Sequence, residues 1–276
     1  MATHEPAVRA LCEHHQELYP SALITRLCQE LLAHQSTEAG PTPLRVLGSV
    51  RGIRDVRYAV LASGSECSGL LIPQDGGYVV VLDEHDSPGR NHRSLGHEIV
   101  HSYFREVHPG PPGAQEERLC EIGATELTMP ADRVAALMSS QPEVTFEFIA
   151  EFASELNVSK GAAARRLVDL SQTPVCYIVA TLRRTKQEEE EDRGSPTLRV
   201  ASWACSQSWP ERRPYLGLSI EPDSLIGQAF KARDSRVGRG DPAIHHRCGT
   251  FGIEAAGYEF IWRGTPMCQV AVLLRA

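Results

Sequence analysis

Apolar residues recur in the first part of the chain at the spacing of an amphipathic helix. In LITRLCQELLAH, Leu23, Leu27, Leu31 and Leu32 follow the 3.6-residue period closely, so the first 38 residues are predicted to be helical. EAGPTP ends this pattern. Residues 44–82 read as strands instead, in PLRVLGSV, SGLLIP and YVVVLDE, and the Asp75-Gly76-Gly77 stretch predicts a hairpin turn.

Helical patterns return after Pro88-Gly89 with SLGHEIVHSYF. The segment HPGPPG at 108–113 must break regular structure, and a second helix is predicted over residues 114–128. Further helices are predicted at 131–139 and 144–156. A turn at Asn157 and an N-cap at Ser159 then introduce another helix, so that residues 151–170 resemble a helix-turn-helix.

The last part of the chain has a different pattern. The run KQEEEEDRGSP at 186–196 is typical of a solvated linker. Beyond it, strand-like stretches alternate with turns, and YEFIW, RGTP and CQVAVLL predict an antiparallel hairpin. We therefore expect an α+β protein with a first domain at 1–141, a helical extension at 142–185, the linker, and a small α+β module at 197–276.

The composition of the chain indicates its cellular compartment and excludes some classes of partner. The 276 residues include eight cysteines without a C-x-x-C pair, so we expect reduced thiols and a cytoplasmic protein. The chain opens without an apolar signal region, and no apolar run approaches the roughly 18 residues that span a bilayer, so no membrane association is expected. The formal charge of −7 disfavours a general nucleic-acid coat.

The candidate chemistry lies in the run SLGHEIVHSYF. His97 and His101 are four residues apart, and on a helix both project from one face, within reach of one metal ion. Glu98 follows the first histidine, where a metalloprotease keeps its general base. The neighbouring residues are uncharged, which favours a helix buried beneath a cleft over a solvated one.

A zinc protease also needs a third protein ligand and an open position for water. The next predicted helix offers Glu116, Glu117 and Glu121, and the last two share a helix face. The strand pair before the histidine helix could align an extended peptide along its edge. The residues alone leave the choice of carboxylate open.

Residues 69–130 resemble the ImmA/IrrE family of zinc metallopeptidases. GGYVVVLDE leads through an Arg-containing loop to HEIVH, and a second helix ends in Leu127-Thr128-Met129-Pro130. The resemblance implies a zincin-like fold, one Zn²⁺ held by His97, His101 and Glu117, and Glu98 as the catalytic base. The sequence departs from the family at Glu121, where Asn or Asp is usual, so Glu121 is a possible alternative ligand.

The resemblance further implies a regulatory endopeptidase that cuts a helix-turn-helix repressor after a stress or mobile-element signal. The alternatives are a DNA-binding transcriptional regulator without protease activity, which would use the middle helices, and a regulatory partner that acts by binding alone. Lys160, Arg165 and Arg166 could serve direct DNA contact, which is the less favoured interpretation.

Three further features carry weaker signals. The segment IEPDSLIGQAFKARDSRVGRGD resembles GAF sensor domains, so a GAF-like module is expected at 197–276. Tyr103 and His108 are near enough in sequence to stabilise an oxyanion, although packing or loop roles are favoured. A cluster of His245, His246 and Cys248 lacks a fourth partner and is interpreted as a loop.

Overall fold

The computed structural model describes residues 4–33, 43–61, 68–141, 143–192, 194–244, 250–262 and 265–276. The chain divides into two compact units, Met1–Arg133 with Ala153–Ser159 and Val134–Phe152 with Lys160–Ala276. Helices and strands occur in both units, which confirms the predicted α+β class. In the described part of the chain, no helix is long and apolar enough to cross a membrane.

The first unit combines helices with a small sheet. Its helices are α1 (Pro6–His15), α2 (Pro20–Ala33), α3 (Leu44–Val50), α4 (Pro88–Val107) and α5 (Ala114–Thr128). Its strands are β1 (Ile53–Ala59), β2 (Gly69–Gln74) and β3 (Gly77–Asp83), in the order β1-β3-β2. Strand β1 runs parallel to β3, and β2 runs antiparallel to it.

The hairpin predicted around Asp75 is confirmed. Gln74 and Gly77 face each other across a two-residue turn, and Gly76 has a φ of +74°, a conformation that glycine adopts without strain. In the sheet order, β2 stands at the edge beside β3. One side of this strand therefore carries no other strand in the described residues.

The prediction of a strand in PLRVLGSV is wrong, because these residues form helix α3. Leu44, Leu47 and Gly48 are buried, which is a helical spacing, while Val46 and Val50 are exposed. The β-branched valines gave the segment its strand-like composition. Strand β1, which follows, lies within the region 44–82 predicted to form strands, although none of the three segments singled out there covers it; of its residues only Ile53 is buried.

Helices α4 and α5 pack closely against each other. A Cβ on Gly123 would lie 2.6 Å from a methyl carbon of Val100, and one on Gly96 would lie 3.5 Å from the Cα of Ala124. The small residues therefore let the two helices approach along the face that carries the candidate site. The core beneath them is formed by buried residues of α2, α3, α4 and α5, including Leu23, Ile24, Leu27, Leu47, Ile99, Val100, Phe104 and Leu119.

The N-terminal segment holds the start of α5. This helix has Gly113 at its N-cap, where no side chain of its own caps the helix. The carboxylate of Glu5 instead accepts hydrogen bonds from the backbone N–H groups of Gln115 and Glu116, at 3.1 and 3.4 Å. The N–H of Glu5 donates to the side-chain oxygen of Gln115 at 3.1 Å, so the two residues bond each other in both directions. We call these bonds between Glu5 and the start of α5 the clasp.

Helices α6 (Ala131–Ser140) and α7 (Phe146–Glu155) follow in the chain. The second unit contains α8 (Lys160–Leu170), β4 (Val175–Arg183), α9 (Lys186–Glu190), β5 (Thr197–Cys205), α10 (Leu225–Ala232), β6 (Ser235–Gly240), β7 (Phe251–Trp262) and β8 (Thr265–Arg275). Its strands form one antiparallel sheet in the order β5-β4-β8-β7-β6. Helix α10 packs on β7, and α8 packs on β4 and β5.

Several local predictions for this part of the chain are confirmed. The turn before α8 has Asn157 at a φ of +50°, and the C-terminal hairpin is formed by β7 and β8. The charged run at 186–196, for which a solvated linker was predicted, connects the paired strands β4 and β5 and begins with helix α9, whose capping box pairs Thr185 with Glu188. The cluster of His245, His246 and Cys248 lies outside the described residues.

Candidate metal centre

Helix α4 presents two histidines and a glutamate from one stretch of helix. Ser87 caps its first turn, and Pro88 occupies the first helical position. Apolar residues of the helix are buried in the core of the first unit. The Nε2 atoms of His97 and His101 lie 3.1 Å apart, and their rings are in edge contact. The imidazoles thus point at one place between α4 and α5.

Glu117 of α5 meets both imidazoles at this place. Its Oε2 lies 3.1 Å from Nε2 of His97, and its Oε1 lies 3.5 Å from Nε2 of His101. The hydrogen bonds of His101 and His97 hold the pKa of Glu117 well below its usual range. This carboxylate is half-exposed, so the cluster has one side open to solvent.

The opposite ring nitrogens are held by two other carboxylates. Nδ1 of His101 lies 2.8 Å from Oε1 of Glu116, and Nδ1 of His97 lies 3.3 Å from Oε1 of Glu121. Each histidine therefore donates from Nδ1 to a carboxylate, an arrangement that orients metal-binding imidazoles. With Nδ1 as donor, a neutral ring has its lone pair on Nε2.

Each of these two carboxylates has an arginine beside it. Arg105 donates to the fully buried Glu116 at 2.5 Å, and it also donates to the carbonyl oxygen of Gly110 in the loop before α5. Arg93 pairs with the more exposed Glu121. The arginines balance the negative charge that would otherwise accumulate behind the histidines.

The carboxylates around the two histidines shift the pKa values of both imidazoles. Burial lowers the pKa of His97, but its hydrogen bonds to Glu117 and Glu121 outweigh burial and raise it to about 9. Burial likewise opposes a raised pKa at His101, where hydrogen bonds to Glu116 and Glu117 prevail. A metal ion can replace the protons of these imidazoles, because its ligands are deprotonated groups.

The donor set fits a zinc ion. Bonds of about 2.0–2.2 Å in a tetrahedral arrangement separate neighbouring ligand atoms by roughly 3.3–3.5 Å. Nε2 of His97 lies 3.1 Å from Nε2 of His101 and 3.1 Å from Oε2 of Glu117, and the other oxygen of Glu117, Oε1, lies 3.5 Å from Nε2 of His101; these separations are close to this value. Two imidazoles and one carboxylate, with one side open, are a donor set that catalytic zinc sites use.

Glu98 lies under the start of strand β2. Its side chain is 6% exposed, and a Cβ on Gly69 would be 3.0 Å from its Oε1. Burial raises the pKa of Glu98, while the charges of His101 and His97 oppose that rise. A carboxylate of raised pKa beside a candidate metal site is suited to accept and return a proton.

Cys120 was not predicted to belong to the site. Its thiol is fully buried, and the ligand atoms of His97, His101 and Cys120 lie within 4.8 Å of one another, so these three residues form a group that could hold a metal ion. Burial raises the pKa of Cys120 well above its usual range. The spacing of Cys120 from Glu117, one helical turn, is the signal by which it could have been found.

The two residues considered for oxyanion stabilisation have other roles. The Tyr103 hydroxyl donates to the carbonyl oxygen of Leu27 at 3.2 Å, and Arg51 lies over its ring. His108 is the C-cap residue of α4. Tyr103 therefore packs in the core of the first unit.

Comparison with known proteins points to the same part of the chain. Residues 57–168, which include α4 and α5, match the family model of M78 peptidases described as the IrrE N-terminal-like domain. This part of the chain is thus similar to the ImmA/IrrE family. The resemblance seen in residues 69–130 is thereby confirmed, and the matched part of the chain is similar to a family of metallopeptidases.

Two similar proteins give the extent of the likeness. The radiation response metalloprotease IrrE of Deinococcus deserti is 29% identical over 149 residues, which cover 48% of this chain and 52% of that protein. The chain thus spans about half the length of this relative. A Mycobacterium tuberculosis transcriptional regulator superposes with a TM-score of 0.58 at 10% identity, over 98% of this chain and 80% of that one, which is a likeness of fold alone.

Proposed function

We propose that this ImmA/IrrE-family chain is a zinc-dependent metalloendopeptidase of regulatory type. The observation that carries the proposal is the convergence of His97 Nε2, His101 Nε2 and the Glu117 carboxylate while both Nδ1 atoms are held by other carboxylates. We assign His97, His101 and Glu117 as ligands of one Zn²⁺ and Glu98 as the catalytic base.

Glu117 is favoured over two competitors for the third position. Glu121 faces Nδ1 of His97, which is the nitrogen turned away from the other histidine, so we assign it to orienting that ring. Cys120 would have to lose a proton whose pKa burial has raised. Glu117 is already ionised at neutral pH and already contacts both Nε2 atoms.

The reaction proposed for this site is hydrolysis of a peptide bond without a covalent intermediate. A bound zinc ion supplies the positive charge that acidifies a water molecule and polarises the scissile carbonyl. Glu98 takes the proton of the attacking water and returns it to the leaving amine. Its burial beneath Gly69 keeps the carboxylate in one place during both transfers.

The edge strand β2 is proposed to align the substrate. The side of β2 that faces away from β3 pairs with no other strand in the described part of the chain, and we propose that an extended peptide pairs with it through backbone hydrogen bonds. Gly69 at its start lies against Glu98, so a peptide bound along this edge would cross the candidate metal site. This geometry favours an extended segment of a protein over a compact surface as the substrate.

We further propose that the substrate is a helix-turn-helix repressor and that the protein acts in the cytoplasm. A protease that meets host proteins must be selective, and the similar protein of Deinococcus deserti is named for a response to radiation. In this proposal residues 1–141 form the zincin-like domain and 142–185 a helix-turn-helix-like extension. Residues 186–196, which include α9 and connect the paired strands β4 and β5, lead from it to a GAF-like module at 197–276, which would receive the signal.

Direct DNA binding by the middle helices receives less support. Of the basic residues considered for it, Arg165 donates to the hydroxyl oxygen of Ser202 at 2.7 Å and to the carbonyl oxygen of Trp203 at 3.3 Å. These bonds tie its guanidinium to strand β5 of the same unit. A residue engaged in this way is less available to a phosphate.

The deciding assay mixes the zinc-loaded chain with the repressor encoded beside its gene. We expect cleavage at one bond, seen by mass spectrometry, and slow or absent cleavage of casein. Glu98→Gln is the matched control, because it should bind zinc and leave the repressor intact. If wild type and variant leave the repressor equally intact, with and without its DNA, the peptidase proposal is wrong.

A further inference from the structure

Two cysteines of the second unit face each other across neighbouring strands. Cys176 of β4 and Cys205 of β5 are direct partners in the antiparallel register, and their Sγ atoms lie 2.7 Å apart. This pair belongs to a different unit from the histidines of α4. Nothing in the proposed peptidase chemistry uses it.

The hydrogen bonds of the adjacent residues define the type of this cross-strand pair. The N–H of Ser206 donates to the carbonyl oxygen of Val175 at 2.9 Å, and the N–H of Val175 donates to the Ser206 hydroxyl at 3.1 Å. In an antiparallel ladder such bonded pairs alternate with non-bonded ones. Cys176 and Cys205 therefore occupy a non-hydrogen-bonded position, where side chains approach most closely.

This position suits a covalent bond between the sulfurs. Non-hydrogen-bonded partners have their Cα atoms about 4.5 Å apart, which falls within the range of roughly 4.4–6.8 Å seen for disulfides. Each of the two side chains already points at the other. Bond formation consequently needs no rearrangement of strand pairing.

The two thiols differ in their access to solvent. Cys176 is fully buried and packs with the core of the second unit, which includes Ile178 and Val272. Cys205 is only partly buried and lies at the end of β5. A small oxidant therefore reaches Cys205 first, and Cys176 is held ready to react with the product.

We propose that Cys176 and Cys205 form a reversible disulfide when the protein meets hydrogen peroxide. The Cys205 thiol loses its proton, its sulfur attacks one peroxide oxygen and the O–O bond breaks; the departing hydroxide takes up that proton and leaves as water, and Cys205 becomes a sulfenic acid. The Cys176 sulfur then attacks the Cys205 sulfur, the S–O bond breaks, and a second water leaves. Two thiols are oxidised by two electrons and one peroxide is reduced to two waters.

The bond would join strands whose cysteines are 29 positions apart in the sequence. Closing a loop of that size restricts the unfolded chain, and the folded strands are already paired. We therefore expect the oxidised protein to unfold at a higher temperature, with a Tm rise on the order of 5 °C. In a reducing compartment such a disulfide is transient, which is typical of a redox sensor.

Peptide mapping of the full-length chain tests the proposal directly. The protein is reduced, freed of reductant, treated with one equivalent of hydrogen peroxide, blocked with an alkylating agent and digested with trypsin. We expect residues 167–183 and 200–212 to appear as one cross-linked species, which separates after reduction. The species should have lost the mass of two hydrogen atoms relative to the two peptides.

Three variants make the test decisive. Cys205→Ser should abolish the cross-link and the Tm rise, and Cys176→Ala, which keeps the core apolar, should leave a sulfenic acid at Cys205 that a dimedone probe captures. Cys268→Ser is the matched control, since Cys268 is also partly buried but lies beside Glu259, and it should leave the cross-link unchanged. Circular dichroism checks that each variant folds.

Two results would overturn the proposal. One is that the wild-type peptides remain separate after peroxide treatment, whether unmodified or oxidised to sulfinic acids. The other is that either cysteine is joined to a different cysteine or to a second chain. Both results are independent of zinc binding and of peptidase activity, so they leave the proposed function untouched.

Discussion

The carboxylate of Glu116 lies 2.8 Å from Nδ1 of His101 and is fully buried. It is the partner that fixes the orientation of this imidazole, and Arg105 fixes the carboxylate in turn. A chain of three side chains thus leads from the loop before α5 to the candidate metal position. The contribution of these side chains to metal binding can be measured as a metal affinity, without any substrate.

Replacing Glu116 with alanine should weaken zinc binding by about 10- to 100-fold, because the His101 ring loses its orienting acceptor. Competition with a chromogenic chelator measures the affinity. Glu126→Ala is the matched control, since Glu126 is also a buried glutamate on α5 but bonds Gln29 and the backbone of Ala131. If the two variants bound zinc with equal affinity, Glu116 would have no role in orienting His101 for the metal.

The third ligand can be identified by comparing three variants on one helix. Glu117→Ala should lower zinc affinity by more than 100-fold. Glu121→Ala should lower it by about 10- to 100-fold, because Glu121 only orients His97. Cys120→Ser should change the affinity least. If Cys120→Ser gave the largest loss, the thiol would replace Glu117 as ligand, and Co²⁺-substituted protein would show a thiolate charge-transfer band.

Glu98→Gln should keep stoichiometric metal and lose catalysis. The amide retains the size of the carboxylate but cannot take a proton, so we expect kcat to fall by about 10²- to 10⁴-fold. Elemental analysis measures the metal, and cleavage of the repressor measures kcat. A variant that lost its metal as well would indicate that Glu98 supports the site instead of serving as the base.

Gly69→Ala probes the contact between strand β2 and the base. The new methyl group would lie 3.0 Å from Oε1 of Glu98 and 3.3 Å from a methyl carbon of Leu82, so Glu98 must shift. We expect lower kcat with unchanged zinc content. Gly161→Ala is the control, because nothing but the Tyr177 hydroxyl at 3.9 Å would meet its methyl group. Full activity of Gly69→Ala would show that Glu98 tolerates displacement.

Gly123→Ala should destabilise the first unit. The added methyl would lie 2.6 Å from a side-chain carbon of Val100 and 2.9 Å from one of Ile24, so α4 and α5 must separate. Overpacking of this kind costs about 1–3 kcal/mol, which urea unfolding of the metal-free protein measures. An unchanged free energy of unfolding would mean that the helices have room which the structure does not show.

The sequence predicts those parts of the candidate site that depend on local spacing. His97, Glu98 and His101 share one helix, so their arrangement follows from helical geometry alone, and Glu117 came from the family resemblance. Glu116 was among the candidate carboxylates, but its contact with Nδ1 of His101 could not be predicted, because it stands next to Glu117 yet faces His101 from another side of α5. Which glutamate of α5 contacts which histidine nitrogen of α4 depends on how the two helices pack against each other.

The fold was predictable to a similar degree. The hairpin of β2 and β3 carries its own turn residues, whereas α3 and β1 depend on their neighbours for their structure. Val46 and Val50 favour a strand by composition, yet the core selects the helical spacing of Leu44 and Leu47. Tertiary burial outweighs local preference where a segment is this short.

The clasp between Glu5 and the start of α5 joins residues 110 positions apart in the sequence. Helix α5 carries the carboxylates of the candidate site, so its first turn is complete only when the opening segment has returned to it. Closure over such a span is slow compared with local helix formation. We expect zinc uptake to report the last stage of folding, and a refolding chain should gain its helical signal before it retains the metal.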